Sequence, residues 1–159
     1  MQELPKPWFD LEGYKRARLL EAKYEAELAL KFLETGLYRN AAGKAFQAVK
    51  ALLAALAVDH RDRLAQKYTG TVKLKGGKTL DRVDWLIAVM PTSHMLGLSA
   101  MISDEIHYLT AIALYLHQYQ YNGPDREGLL SQYRSDDEAK EDILLVVNGV
   151  NKILSKISI

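Results

Sequence analysis

From Tyr24 to Leu56 the chain reads as two helices joined by a stop at Thr35 and Gly36, and this hairpin limits the fold more than any other stretch. The first arm, EAKYEAELALKFLETG, repeats Ala22, Ala26, Ala29, Leu30 and Leu33 at steps of three and four, with Glu, Lys and Tyr between them. Such a helix is apolar on one side only and needs a partner. Gly36 closes it, because a left-handed residue after a helix carries no Cβ penalty when it is glycine. The second arm sets Ala41, Ala42, Ala45, Ala48, Ala51, Ala54 and Ala55 around Phe46, Val49, Leu52, Leu53 and Leu56. Small side chains favour helix and let neighbouring helices approach closely, so this arm is expected at the centre of a bundle. Ala45 and Ala48 should then have no room for a larger side chain.

At 159 residues and 48% hydrophobic the chain has enough material for one sizeable core and too little for two ordinary domains. No stretch approaches the roughly 20 apolar residues of a membrane span. The N-terminus, MQELPKPWFD, lacks a basic segment followed by an apolar run, so the expected location is cytoplasmic, with no membrane partner. Cysteine is absent, which excludes disulfides, thiolate metal sites and cysteine nucleophiles.

The rest of the chain extends the helical pattern. Residues 1–9 form an arm stiffened by Pro5 and Pro7, with Trp8 and Phe9 available to dock it on a single domain spanning 10–159. Asp10 is placed to cap a first helix ending near Glu34. The second helix is predicted from Tyr38 past Leu56 to about Gln66. Tyr68 to Lys78 breaks the period with Gly70, Gly76 and Gly77, either as a short β-like excursion or as a mobile loop. Thr79 can cap a short third helix that Pro91 ends or kinks. A fourth starts between Thr92 and Ser99 and runs to about Tyr121, before Asn122-Gly123-Pro124. Ser135 and Glu138 make a capping box for a last helix to the C-terminus, with Ile143, Leu144, Val147, Val150, Ile153 and Leu154 on its apolar side. The expectation is an all-α, up-and-down bundle of four to five helices.

Gly36, Tyr38, Ala41, Ala42, Lys44, Ala45, Phe46, Gln47, Ala48, Val49, Lys50, Ala51 and Leu52 follow the helix-turn-helix pattern of the HEPN superfamily, which this chain resembles. Downstream, ALYLHQYQY at Ala113 to Tyr121 is similar to the Leu-His and Tyr pattern of the archaeal PaREP branch of that superfamily. The resemblance implies a HEPN-like helical domain that forms a homodimer and engages nucleotide, RNA or a nucleotidyltransferase partner. Ribonucleases of the superfamily carry Arg followed four to six residues later by His, where His moves the proton of the ribose 2′-hydroxyl or of the leaving oxygen and Arg stabilises phosphate charge. No arginine here has a histidine at that distance: Arg61 and Arg63 follow His60, and no His follows Arg126 or Arg134. The reading is therefore a non-catalytic binding module, with no catalytic residue, metal or cofactor assigned. The alternative is an enzyme, either a diverged nuclease using His60 or His117 with a nearby Arg or a metal-dependent bundle.

Two groups of polar residues are candidate sites. The net charge of +1 argues against a surface built wholly for nucleic acid and against sequence-specific DNA binding, yet charge is unevenly spread. Arg61, Arg63, Lys67, Lys73, Lys75 and Lys78 stand against Asp62 alone, while acidic residues dominate between Asp125 and Asp142. Each run is read first as solvated surface. The segment LKGGKT lacks P-loop spacing and reads as a flexible turn, but with Arg61, Arg63 and Lys67 it is the place to seek a nucleotide- or RNA-binding surface. In the second group Asp104 and His107 are three apart, as in di-metal bundles, and His117 and Tyr121 are four apart. A second Asp/Glu-x-x-His is missing, and only Glu21 and Glu25 offer a further carboxylate couple. These residues are read first as structural.

Overall fold

The computed structural model describes residues 5–157, so Met1 to Leu4 of the expected arm, and the last two residues of the chain, lie outside the described residues. The elements run α1 Leu11–Glu34, α2 Tyr38–Asp59, α3 Arg61–Lys67, β1 Thr71–Lys73, β2 Thr79–Asp81, α4 Arg82–Val89, α5 Thr92–Ala100, α6 Asp104–Asn122 and α7 Asp136–Ser155. The fold is all-α apart from one antiparallel hairpin.

Local chemistry accounts for four of the helix ends. Asp10 caps α1 by accepting the Gly13 N–H at 2.9 Å. At the other end Gly36, with φ +75°, makes a double hydrogen-bonded turn. Leu37 N–H donates to Phe32 O at 2.9 Å and Gly36 N–H to Leu33 O at 3.1 Å, the two bonds of a Schellman motif. Ser103 caps α6 through the Ile106 N–H. Ser135 caps α7 through the Glu138 N–H, and Glu138 in turn accepts the Arg134 N–H at 2.9 Å, one residue earlier than an ideal capping box.

The four long helices α1, α2, α6 and α7 share one core. α2 packs on α1, α6 and α7, and α1 and α6 each also pack on α7, so α2 and α7 meet between them. Ala45, Ala48, Leu52 and Leu53 are fully buried, in accord with a central second helix. At 22 residues α2 is also long and apolar enough to cross a membrane by length and composition, which corrects the expectation that no stretch approaches that limit. It lies mostly buried inside the bundle.

Periodicity did not separate the short helices α3 and α5 from their neighbours, whereas the expected short third helix is present as α4. The expected second helix breaks at His60, where α3 turns to bury Leu64 and bring Arg61 to Asp84. The expected fourth helix is two helices, α5 and α6, divided at Met101 to Ser103. Thr79 does not cap a helix; it pairs with Lys73 in the hairpin, and α4 begins at Arg82. Met90, buried and left-handed at φ 46°, turns the chain into Pro91 and α5. α1 holds this corner in place: Tyr14 O–H donates to Ile87 O at 2.6 Å and Arg18 to Ala88 O at 3.2 Å, satisfying carbonyls near the end of α4.

Candidate functional site

The basic segment forms a projecting hairpin. Its register pairs Thr71 with Asp81, Val72 with Leu80 and Lys73 with Thr79. Strand alternation turns Leu80 into the core and leaves Thr71, Lys73, Thr79 and Asp81 in solvent. Leu74 N–H donates to Lys78 O at 2.8 Å and Gly77 N–H to Leu74 O at 3.2 Å, closing the turn. Gly76 and Gly77 sit at φ +93° and +86°, a backbone that side chains with Cβ rarely adopt. The glycines thus shape a turn that carries Lys75 and Lys78 at its tip. Two strands alone are marginal in water. α4 supports them, since Arg82 donates its N–H to Gly70 O at 2.9 Å and its Nε–H to Thr69 O at 3.1 Å.

The six basic residues have separate roles. Arg61 belongs to the framework: its Nε and Nη2 donate to the two Asp84 oxygens at 2.6 and 2.9 Å, and Asp81 lies at 3.2 Å. The hydrogen bonds that it donates to Asp84 hold its guanidinium even more firmly charged than usual. Lys67 extends over the Tyr68 ring, and Arg63, Lys73 and Lys75 are exposed. Lys78 sits 4.2 Å from the ring centre of Phe9 and 5.9 Å from that of Trp8. Phe9 is 75% exposed, so one face of an aromatic ring stands in solvent beside a lysine. Sequence reading placed Trp8 and Phe9 in a docking arm but gave no sign of the partner, which lies beyond three helices in the chain.

The second group does not assemble. Asp104 is exposed in the first turn of α6, while His107 Nδ1 lies 3.0 Å from Ser99 Oγ and joins α5 to α6. His107 and His117 are about 15 Å apart along the helix axis at 1.5 Å per residue. Glu21 pairs with Arg18 at 2.7 Å and Glu25 with Lys44 at 3.1 Å. Among the described residues no three His, Asp or Glu side chains come together as metal ligands. Part of the acidic run is likewise engaged by the fold, with Asp136 accepting from Tyr119 O–H and Asp142 from Tyr133 O–H at 2.7 Å.

His117 has a distinct environment. Its ring stacks on Phe46 at 4.0 Å and meets Tyr121 edge-on at 5.1 Å, so the segment that resembles the HEPN pattern and the segment that resembles the PaREP pattern touch here. Its Nδ1 is buried without a hydrogen-bond partner among the described residues. Burial holds the imidazole below the ordinary 6.5; Gln120 opposes this shift, and the charge of Lys50 adds to it. The folded state therefore favours the neutral ring, and the stabilisation it provides is present above 6.5 and is lost as pH falls from there through the lower value of the folded state. Urea unfolding at a series of pH values should show stability falling as pH drops below 6.5, with a shallower fall in His117→Gln. Parallel profiles in the two proteins would remove His117 as the cause.

A separate cleft of about 260 Å³ lies at the end of the bundle between the α1–α2 turn and α7, lined by Leu37, Arg39, Tyr119 and Asp136. Its charged groups are engaged, Arg39 by Gln120 O and Tyr121 O and Asp136 by Tyr119. No curated protein and no solved structure matches the chain. The model of the Archaeal PaREP1/PaREP8 family matches residues 17–144, from the second turn of α1 to the third turn of α7, with the whole hairpin inside. The chain belongs to the archaeal PaREP1/PaREP8 family.

Proposed function

We propose that this protein is a non-catalytic, homodimeric binding module that holds single-stranded RNA on the hairpin. The observation that carries this reading is the exposed Phe9 ring beside Lys78, with Lys73 and Lys75 on the same hairpin. Single strands are held by cations that follow the phosphates and by aromatic faces on which bases stack, and the two supply different parts of the affinity. Double-stranded nucleic acid hides its base faces and gains nothing from Phe9. The resemblance to HEPN proteins supports both the dimer and the RNA. The non-catalytic part rests on the histidines, which lie apart: His60 at the α2–α3 corner, His94 on α5, His107 on Ser99 and His117 on Phe46.

Fluorescence anisotropy with labelled single-stranded RNA across a salt series tests the reading. Removing two phosphate contacts with Lys73→Ala and Lys75→Ala should flatten the slope of log affinity against log salt by about 1.4, at about 0.7 per contact. Phe9→Ala should weaken binding by about 1–3 kcal/mol per stacked base and leave the slope unchanged. Absence of salt-dependent binding by the unaltered protein, or an unaltered slope in the lysine variant, would rule the hairpin out.

A further inference from the structure

The loop between α6 and α7 holds two neighbouring leucines in solvent on a fixed frame. Leu129 is 79% and Leu130 65% exposed. A single carboxylate, Asp125, accepts the backbone N–H groups of Glu127 at 3.0 Å, Leu129 at 2.9 Å and Leu130 at 2.7 Å. Asp125 also donates its own N–H to Tyr133 O at 2.7 Å. Asn122 Nδ2 donates to Leu130 O at 2.9 Å and ties the loop to the last turn of α6, where Tyr121 is 66% exposed. These bonds tie the backbone into the shape that leaves both leucines in solvent. Paired large apolar side chains displayed in this way mark a contact surface.

A matching recess lies on the same end of the molecule. Leu30, Leu33 and Glu34 of α1 and Lys140 and Leu144 of α7 line an open cleft of about 290 Å³. Its aliphatic residues accept a leucine side chain, and its rim carries one charge of each sign, Glu34 and Lys140. The loop carries the complement, Arg126 and Glu127, just before its leucines. The loop also leads directly into α7, whose second and third turns line the cleft, so projection and recess are close neighbours. That is the arrangement a closed two-fold contact needs, in which each copy offers both halves.

We infer that Leu129 and Leu130 of one copy dock in the α1–α7 cleft of a second copy, and reciprocally, forming the homodimer interface. The inference rests on the dimeric part of the function proposed above and is independent of the RNA part. Native mass spectrometry and sedimentation of the full chain test it. The unaltered protein should be a dimer, and Leu129→Asp with Leu130→Asp should raise the dimer dissociation constant by roughly a hundredfold or more while circular dichroism shows the helical fold retained. Arg126→Glu should weaken the dimer, and adding Glu34→Arg should restore it, a charge exchange that leaves the core untouched. A dimer of unchanged affinity in the leucine variant, or no recovery in the charge exchange, would place the interface elsewhere and leave the dimer standing. A monomer in the unaltered protein at every concentration would overturn the interface and the dimer together.

Discussion

Phe46→Ala is expected to lower the unfolding free energy by about 3–5 kcal/mol, the range for removing a large aromatic from a packed core. Phe46 is 2% exposed on α2 and lies face to face with His117 of α6 at 4.0 Å. Helices α2 and α6 are long and held at several points, so neither can collapse far into the space the ring leaves. The loss should therefore fall in the upper part of the range, because the cost grows with the cavity that remains. A second readout follows from the same contact. The ring excludes water from His117, so its removal should move the imidazole upward toward its ordinary 6.5, which NMR titration would detect. A loss below about 1 kcal/mol, with no movement of His117, would mean that α6 docks on α2 without this contact.

The second large effect is expected at Arg61. Arg61→Ala removes the only side chain, among the described residues, that is hydrogen-bonded to Asp84, which is 7% exposed, and leaves a nearly buried carboxylate without its partner. Breaking one side of a fully buried pair costs about 3–5 kcal/mol, and the Arg61 side chain is 25% exposed, which places this case nearer about 2–3 kcal/mol. Replacing both partners, as Arg61→Met with Asp84→Leu, should recover most of the loss, because the cost lies in the uncompensated charge rather than in the lost attraction. Chemical denaturation of the two singles and the double closes the cycle. A double variant no more stable than Arg61→Ala would show that the pair holds α3 on α4 by its own attraction. RNA affinity of Arg61→Ala, measured below its melting temperature, should match the unaltered protein, since Arg61 faces Asp84 and not the hairpin tip.

Arg61 also shows where sequence stops being sufficient. In the chain it is one of a run of cations, and charge counting treats it like Lys73 and Lys75. Its separation from them depends on Asp84, which only the turn at His60 brings within reach. That turn has no glycine or proline to announce it, and neither has the break at Met101 to Ser103, so the periodic pattern runs through both. The ends that were legible are those whose chemistry is local: Asp10, Gly36, Ser135 and Glu138 act on residues within a few positions of themselves. The central place of α2 was legible for a related reason, because its alanines recur too often for a helix with an open face. Thr79 was misread because a threonine before an apolar run serves equally as a helix cap or a strand residue, and pairing with Lys73 decided between them. In the candidate site the lysines were visible as charge, while the Phe9 platform arises only when the arm meets the hairpin.

The burial of α2 has a consequence during synthesis. The α1–α2 hairpin leaves the ribosome first, and α1 can cover only one side of α2 at that stage. The remaining apolar surface is covered by α6 and α7, whose last turn lies ~100 residues further on. At roughly 5–20 residues per second, a helix long and apolar enough to cross a bilayer stays half uncovered for roughly 5–20 s. Throughout that interval the nascent chain presents to chaperones and to the membrane-insertion machinery a surface that the finished protein never shows.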